Sequence, residues 1–265
     1  MHIGTDGTYN DSKTEAVYFP APGNTPIPSD TLPVPVSDGY ITYTSEFKYL
    51  GSYVTHDLND TFDVKNRVVQ ATKALNSMMP HVFRNKFLTK HVKKLLYMAI
   101  PMNLLLWGCE TWALKEKDRK ILQVFHSSAI RRILNINMME VQAYRISNEA
   151  IYAEFNIDPV ERILASRQLR WISKVANMDE SRLPRKFLAA WHRNPRPVGR
   201  RQTTIRHSYI HALRMIGAIS EDDKAGKLSD WFPKVLEDPE AWERKRKLLT
   251  PNILGRKDRS EIFGE

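Results

Sequence analysis

The stretch Phe47-Lys48-Tyr49-Leu50-Gly51-Ser52 decides how this chain is divided. It is an aromatic, β-prone run that ends at a glycine, which predicts a strand closing in a turn. In a strand, Phe47 and Tyr49 lie on one face, and Lys48 and Leu50 lie on the other. Shortly after this stretch the hydrophobic period becomes that of an amphipathic helix. The stretch therefore marks the passage from a β segment to a helical body.

The residues before this stretch have the pattern of strands and loops. Residues 34–36 and 40–43 are β-prone runs separated by Ser37-Asp38-Gly39, and Asp-Gly in that position predicts a hairpin. Residues 16–19 predict a further short strand. The six prolines between positions 20 and 35 exclude a helix there. The N-terminal segment is therefore predicted to be a small β element.

Helical periodicity dominates the rest of the chain. Apolar residues recur every three to four positions from Val64 to Val82. Thr89 is predicted to cap a second helix, which Pro101 should kink or split and which Gly108 should end. The apolar side of that second helix is predicted to comprise Val92, Leu95, Leu96, Ala99, Met102, Leu105 and Leu106. Further helices are predicted at 117–134, at 148–155, from an Asp158 cap and Pro159, after Pro184, at 203–216 and at 228–249.

Charge is distributed unevenly along the sequence. The net charge is +10, yet residues 1–58 carry two lysines against seven acids. Residues 159–216 hold eleven arginines and two lysines against three acids. A positive field of this kind favours a polyanionic partner, and nucleic acid is the commonest one. Arginine in excess of lysine suits bidentate contacts to phosphate.

Cysteine content and hydropathy limit the class of protein. A single cysteine, Cys109, excludes an intrachain disulfide framework and any zinc site built on two cysteines of one chain. The N-terminus has neither the charged nor the apolar region of a signal peptide, and no apolar run approaches the length of a membrane span. We expect a soluble, intracellular protein without a membrane partner.

The stretch Phe47-Lys48-Tyr49-Leu50-Gly51 resembles the primer-grip motif of non-LTR (LINE-type) retrotransposon reverse transcriptases, where it ends the palm and precedes the thumb. Other stretches resemble the same family in the same order. They are SKTEAV (12–17), WGCETW (107–112), LRW (169–171) with Val175 and Met178, RLP (182–184) and GRR (199–201). The family commonly has Gly-His before Val175, where this chain has Ser173-Lys174, so no role is carried over for that histidine.

The resemblance implies a division of the chain. Residues 1–58 would be a palm remnant with the hairpin and the primer-grip-like strand, 59–135 thumb-like helices, 136–249 a basic helical post-thumb region and 250–265 a tail. The fold class is then mainly α, a helical thumb-like and post-thumb bundle with a small N-terminal β element. Lys13 lies where the resemblance would put a palm lysine near the incoming nucleotide. The residues implied to support the primer's 3′ end are Phe47, Lys48, Tyr49, Leu50 and Gly51; an ordinary aromatic pair in a sheet is the alternative.

Basic side chains supply candidate contacts to nucleic acid. One group lies in the first turns of the helix after Thr89, where cations oppose the helix dipole and so call for another role. A second group shares one helical face through i, i+3 and i+7 spacing, and a third follows in a loop. A row of this kind is either a solvated face or a phosphate-binding surface, and the scarcity of acids nearby favours the second. The groups are Lys90, Lys93 and Lys94; Arg167, Arg170 and Lys174; and Arg193, Arg196, Arg200 and Arg201.

The sequence offers no set of residues for catalysis. A polymerase of this kind needs two metal-binding carboxylates on a tight β-hairpin, but the adjacent pair Asp222-Asp223 lies in a polar run with no strand beside it. His207 and His211 have i, i+4 spacing but lack a third ligand, which favours a surface or phosphate-contacting pair over a metal site. Cys109 is predicted to be a core residue. We predict no catalytic residue, metal ligand or cofactor, with Mg²⁺ expected only in a complete polymerase.

The predicted function is that of a nucleic-acid-binding fragment of a retrotransposon reverse transcriptase that grips a primer–template duplex of RNA, DNA or both. It would lack the catalytic aspartates and be inactive alone, with a polymerase palm, in cis or in trans, as a further partner. The alternative is a helical protein-interaction scaffold with a basic surface. The run Arg244-Lys245-Arg246-Lys247 fits either a nuclear import signal or an exposed basic helix, so the nucleus is one expected location.

Overall fold

The structure is a computed structural model that describes residues 14–19, 34–36, 39–189, 204–216, 235 and 237–247. The described residues form two compact units, divided between Asp63 and Val64. The described part is mainly helical and has a small β element near its N-terminus. This confirms the predicted fold class.

Two antiparallel hairpins make up the β element. Strand β1 (Val34–Val36) pairs with β2 (Gly39–Ile41), as the Asp-Gly signal predicts. Strand β3 (Glu46–Tyr49) pairs with β4 (Ser52–Thr55) across the two-residue turn Leu50-Gly51. Both turn residues have positive φ, 47° and 86°, as a tight hairpin of this type requires.

Two details of the β element differ from the prediction. The sequence analysis includes no strand at Ser52–Thr55, but these residues form β4, because the turn folds them back onto β3 before α1 begins at Thr61. The strand predicted at residues 16–19 is reduced to a single parallel bridge between Ala16 and Tyr43.

The described helices follow in chain order. They are α1 (Thr61–Met78), a π-helical turn (Met79–Phe83), α2 (Lys90–Ala99), α3 (Pro101–Leu105), a 3-10 turn (Cys109–Thr111), α4 (Glu116–Leu134), α5 (Met138–Ala143), α6 (Asn148–Phe155), α7 (Val160–Ala176), α8 (Leu183–Ala189), α9 (Ile205–Met215) and α10 (Pro239–Lys247).

Capping residues explain most of these boundaries. The Thr89 hydroxyl accepts a hydrogen bond from the Val92 amide at 3.3 Å, and Pro101 separates α2 from α3, both as predicted. Pro159 precedes α7 as its cap residue, one position later than predicted. Asp158 forms an ion pair with Arg162 at 3.0 Å instead.

Two hydrophobic clusters form the core of the second unit. The larger cluster runs from Val64 on α1 to Leu164 on α7, and the smaller one joins the second half of α7 to α9 and α10. The predicted apolar stripe of α4 is entirely buried, namely Leu122, Phe125, Ala129 and Ile133. The predicted domain boundaries at residues 58, 135 and 249 stay predictions.

The buried face of α2 differs from the predicted one. Leu95 and Ala99 are exposed, whereas Lys94, Tyr97 and Met98 are buried. The polar ends of Lys94 and Tyr97 have hydrogen-bond partners on distant segments, which reduces the cost of burying them. The hydrophobic pattern of α2 gives no information about hydrogen-bond partners elsewhere in the chain. The prediction based on that pattern therefore placed the buried face on the wrong side of α2.

Candidate nucleic-acid interface

The primer-grip-like residues form the tip of the β3–β4 hairpin. The rings of Phe47 and Tyr49 are stacked with centroids 6.5 Å apart, which confirms that they share a face. On the other face, the Lys48 ammonium lies 5.9 Å from the ring centroid of its cross-strand partner Tyr53. Lys48, Tyr49 and Leu50 are exposed, and Phe47 is half-buried. The tip thus presents a cation, an aromatic ring and an apolar side chain to solvent.

The hairpin is held to the first turn of α1. The Tyr53 amide donates a hydrogen bond to the Asp63 carboxylate at 3.0 Å, and the Tyr53 and Phe62 rings meet edge to face with centroids 5.1 Å apart. Asp63 is buried, and a carboxylate in the first turn of a helix is favoured by the helix dipole. These contacts fix the base of the hairpin on the first turn of α1.

The three lysines predicted on α2 lie in different surroundings. Lys90 is exposed and forms an ion pair with the Glu154 carboxylate on α6. Lys93 is half-buried. Lys94 is 3% exposed, and its ammonium donates a hydrogen bond to the main-chain carbonyl of Asn156 at 2.8 Å. Burial lowers the pKa of Lys94, and the nearby Asp158 partly counteracts this. The three therefore do not form one exposed basic group.

The three basic residues predicted on α7 also differ. Arg170 and Lys174 are exposed, and neither has a hydrogen bond or ion pair to another residue that the structure describes. Arg167 is half-buried, and its guanidinium donates to the Leu106 carbonyl at 3.3 Å and to the Asn103 side-chain oxygen. The solvent-facing part of the row is therefore Arg170 and Lys174, while Arg167 holds the end of α3 against α7.

Several predicted residues lie outside the described residues. They include the predicted loop arginines Arg193, Arg196, Arg200 and Arg201, and also Lys13 and the Asp222-Asp223 pair.

The WGCETW stretch is attached to α7 and α9 through its main-chain carbonyls. Gln168 on α7 donates to the Cys109 carbonyl at 3.2 Å, and the Tyr209 hydroxyl on α9 donates to the Glu110 carbonyl at 2.9 Å. Burial raises the pKa of Tyr209, and the Glu110 charge adds to this. A single 3-10 turn leaves main-chain carbonyls without partners in the turn, and buried side chains from two helices satisfy two of them here. The sequence alone gave no sign that Gln168 and Tyr209 perform this task.

A surface pocket of about 540 Å³ opens beside this stretch. Asn103 and Leu106 from the end of α3 contribute to its lining, as do Trp107, Gly108 and Glu110 from the following turn and Arg167 from α7. Gly108 has a φ of 76°, a conformation that residues with a Cβ avoid. The pocket therefore combines an indole and a carboxylate, from a turn whose backbone is held by buried hydrogen bonds, with a guanidinium from α7.

A buried polar chain joins α2, α4 and the turn before α7. The Tyr97 hydroxyl bonds to His126 Nδ1 at 2.9 Å, and His126 Nε2 bonds to the Asp158 carbonyl at 3.0 Å. A carbonyl can only accept, so Nε2 carries the proton and Nδ1 accepts from Tyr97. Burial lowers the pKa of His126 to about 4, with the Asp158 carbonyl opposing this shift. The sequence analysis missed this chain, because its members are up to 61 residues apart.

The two histidines on α9 have separate surroundings. His207 Nδ1 accepts a hydrogen bond from the Thr204 amide at 3.1 Å and so caps the start of α9. Burial lowers the pKa of His211, and the positive charge of Arg119 lowers it further. Among the residues that the structure describes, no group of three or more His, Cys, Asp or Glu side chains is placed to hold a metal ion.

Cys109 is buried, which confirms its prediction as a core residue. Burial raises the pKa of its thiol well above the usual range, and the neighbouring Glu110 carboxylate acts in the same direction. A thiolate is the nucleophilic form of cysteine, so this environment opposes nucleophilic chemistry.

Comparison with family models, curated proteins and solved structures finds no match to this chain. Over the described parts of the chain, no helix combines the length and apolar character that crossing a membrane requires.

Proposed function

We propose that this chain grips a nucleic-acid duplex, as the thumb and post-thumb part of a non-LTR retrotransposon reverse transcriptase. The observation that carries the proposal is the pair Arg170 and Lys174 on α7. Both are exposed and have no partner among the described residues, although the opposite face of α7 is packed into the core. Cations that are left without acids on a rigid helix are suited to phosphate oxygens.

The overall charge supports a polyanionic partner. The chain has a net charge of +10, and residues 159–216 contribute a surplus of ten positive charges. Such a field attracts nucleic acid over distances of about a Debye length, roughly 8 Å at physiological salt. Contacts to phosphate then fix the orientation of the duplex without reading its sequence.

The hairpin tip supports the more specific part of the proposal. Lys48 and Tyr49 are exposed beside a tight turn, and the base of the hairpin is fixed through Tyr53 and Asp63. A lysine can contact a phosphate, and an exposed aromatic ring can pack against a sugar or base. This arrangement suits the support of a primer end, which is the role implied by the resemblance of residues 47–51.

The test is a salt series of duplex binding. The double variant Arg170→Gln/Lys174→Gln removes two charges from α7, and Arg244→Gln/Lys245→Gln removes the same two residue types from exposed positions on α10. We expect the α7 variant to weaken binding to unrelated duplexes equally. It should also flatten the slope of log K against log salt by about two units, since each phosphate contact contributes about 0.9.

Arg167 is left out of the double variant because its guanidinium holds α3, so its loss would also disturb folding. If the α7 and α10 variants change binding equally, the effect is one of net charge and α7 is not the interface. If the unmodified chain has no affinity for DNA or RNA at moderate salt, the proposal is wrong. The protein-interaction scaffold is then the better reading of the basic surface.

A further inference from the structure

We infer that the pocket beside the WGCETW stretch binds an unpaired nucleobase, with preference for guanine. The inference rests on the proposed function, since it assigns a second contact to the same nucleic-acid partner. The pocket volume of about 540 Å³ lies within the range of small-molecule sites, about 300 to 1,000 Å³. Its lining joins the indole of Trp107 to the polar side chains of Glu110, Arg167 and Asn103.

Trp107 supplies a surface for stacking. Its side chain is 54% exposed, whereas Trp112, at the other end of the same stretch, is 2% exposed and belongs to the core. The stretch thus buries one indole for stability and leaves the other at the pocket. An exposed indole that lines a pocket is suited to stacking against a base, because every base has a π face.

Glu110 supplies the selectivity. Its carboxylate lines the pocket, and its one described hydrogen bond comes from the thiol of Cys109 at 3.8 Å, a weak donor. The position of the residue is fixed, since its main-chain carbonyl accepts from Tyr209 at 2.9 Å. A carboxylate accepts hydrogen bonds and does not donate them. Guanine presents two adjacent N–H donors on its Watson–Crick edge and is therefore the best match.

Arg167 and Asn103 complete the polar lining. Two guanidinium nitrogens of Arg167 donate to the Leu106 carbonyl and to the Asn103 side chain, which fixes the guanidinium at the pocket wall. Arginine has five N–H donors, so further donors remain for the phosphate or sugar of the bound nucleotide. Its charge also offsets that of Glu110 and lowers the repulsion between the pocket and a polyanion.

The experiment compares a blunt duplex with the same duplex carrying one unpaired guanine, measured with the full chain by fluorescence anisotropy. We expect the unpaired guanine to tighten binding by on the order of tenfold, the size of a stacking contribution. Trp107→Ala should remove this gain and leave blunt-duplex affinity unchanged, and Trp107→Phe should restore part of it. Tyr144→Ala, which removes an exposed aromatic ring elsewhere, should retain the full gain.

Base identity tests the role of Glu110. An unpaired inosine, which lacks the guanine 2-amino group, should bind more weakly than guanine to the unmodified chain. Glu110→Gln should reduce the difference between guanine and inosine, and the thermal midpoint of each variant checks that it is folded.

The inference fails if the blunt duplex binds and the unpaired guanine adds nothing, or if Trp107→Ala weakens both duplexes equally while remaining folded. Absence of binding to both duplexes would instead overturn the proposed function and the inference together. If all unpaired bases bind equally and the gain in affinity still depends on Trp107, the stacking contact is supported. The selectivity assigned to Glu110 is then wrong.

Discussion

Lys94 on α2 and Asn156 at the end of α6 are joined by a hydrogen bond of 2.8 Å from the lysine ammonium to the main-chain carbonyl. Asn156 has a φ of 51°, the left-handed conformation that often ends a helix. A cation at this position is stabilised by the carbonyl end of the helix dipole. Lys94 therefore holds α2 against α6 from a buried position, although sequence alone groups it with phosphate contacts.

Replacing Lys94 by methionine tests this structural role. Lys94→Met keeps a long side chain but leaves the Asn156 carbonyl without this donor, so we expect a loss of about 1 to 3 kcal/mol in the free energy of unfolding. Lys90→Met, on the exposed side of the same helix, should cost less than about 1 kcal/mol. Urea denaturation measures both. The assignment is contradicted if Lys94→Met leaves stability unchanged and weakens duplex binding.

The buried ring of His126 predicts a stability that depends on pH. Its folded pKa of about 4 lies below the ordinary histidine pKa of 6.5, so protonation favours the unfolded chain. The contribution of the neutral His126 ring to the free energy of unfolding is fully present above pH 6.5 and is lost as the pH falls from 6.5 toward 4. Its size is about 3 kcal/mol, from 1.36 kcal/mol per pKa unit.

Unfolding free energies measured in urea between pH 7.5 and 4.5 test this dependence. His126→Gln should be less stable at pH 7.5, because the hydrogen bonds of the ring to Tyr97 and Asp158 are lost, and its stability should fall less steeply with pH. His91→Gln, at an exposed position on α2, should keep the slope of the unmodified chain. If the free energy of unfolding depends on pH equally steeply in the two variants, His126 does not titrate as expected.

Leu75 tests the packing of α1. It is 1% exposed within the larger core, so Leu75→Ala removes apolar contacts and leaves a cavity. We expect a loss of about 2 to 4 kcal/mol in a denaturant melt. Val69→Ala on the same helix provides the control. Val69 is 49% exposed, so this substitution should lower the free energy of unfolding far less. Similar losses at the two positions would contradict the packing of this helix.

Tyr209 tests the attachment of the WGCETW stretch to α9. Tyr209→Phe removes the hydroxyl that donates to the Glu110 carbonyl and otherwise keeps the packing. We expect a loss of about 1 to 2 kcal/mol in unfolding free energy, since a buried acceptor loses its partner. Tyr144→Phe, at an exposed position, should be close to neutral. A neutral Tyr209→Phe would show that water replaces the hydroxyl at the carbonyl.

Local signals in the sequence were sufficient for most elements of the fold. The Asp-Gly pair predicted the first hairpin, Thr89 and Pro101 set the limits of α2, and apolar spacing predicted α1 and α4. Each of these signals acts within a few residues, through backbone geometry, a missing amide donor or a hydrophobic period. The helix α5 was missed, because it is short and none of its residues is buried.

What the sequence by itself determined is the mainly helical class, most helix boundaries, the Asp-Gly hairpin, the aromatic strand at residues 47–49 and the surplus of positive charge. Only the tertiary structure decided which cations face solvent, since Lys94 and Arg167 donate to carbonyls about sixty residues away in the chain while Arg170 and Lys174 do not. The same holds for the two tryptophans of the WGCETW stretch, one buried and one lining the pocket. A side chain that carries polar atoms can be buried at little cost only where other segments supply hydrogen-bond partners for them. A local sequence pattern gives no information about those segments.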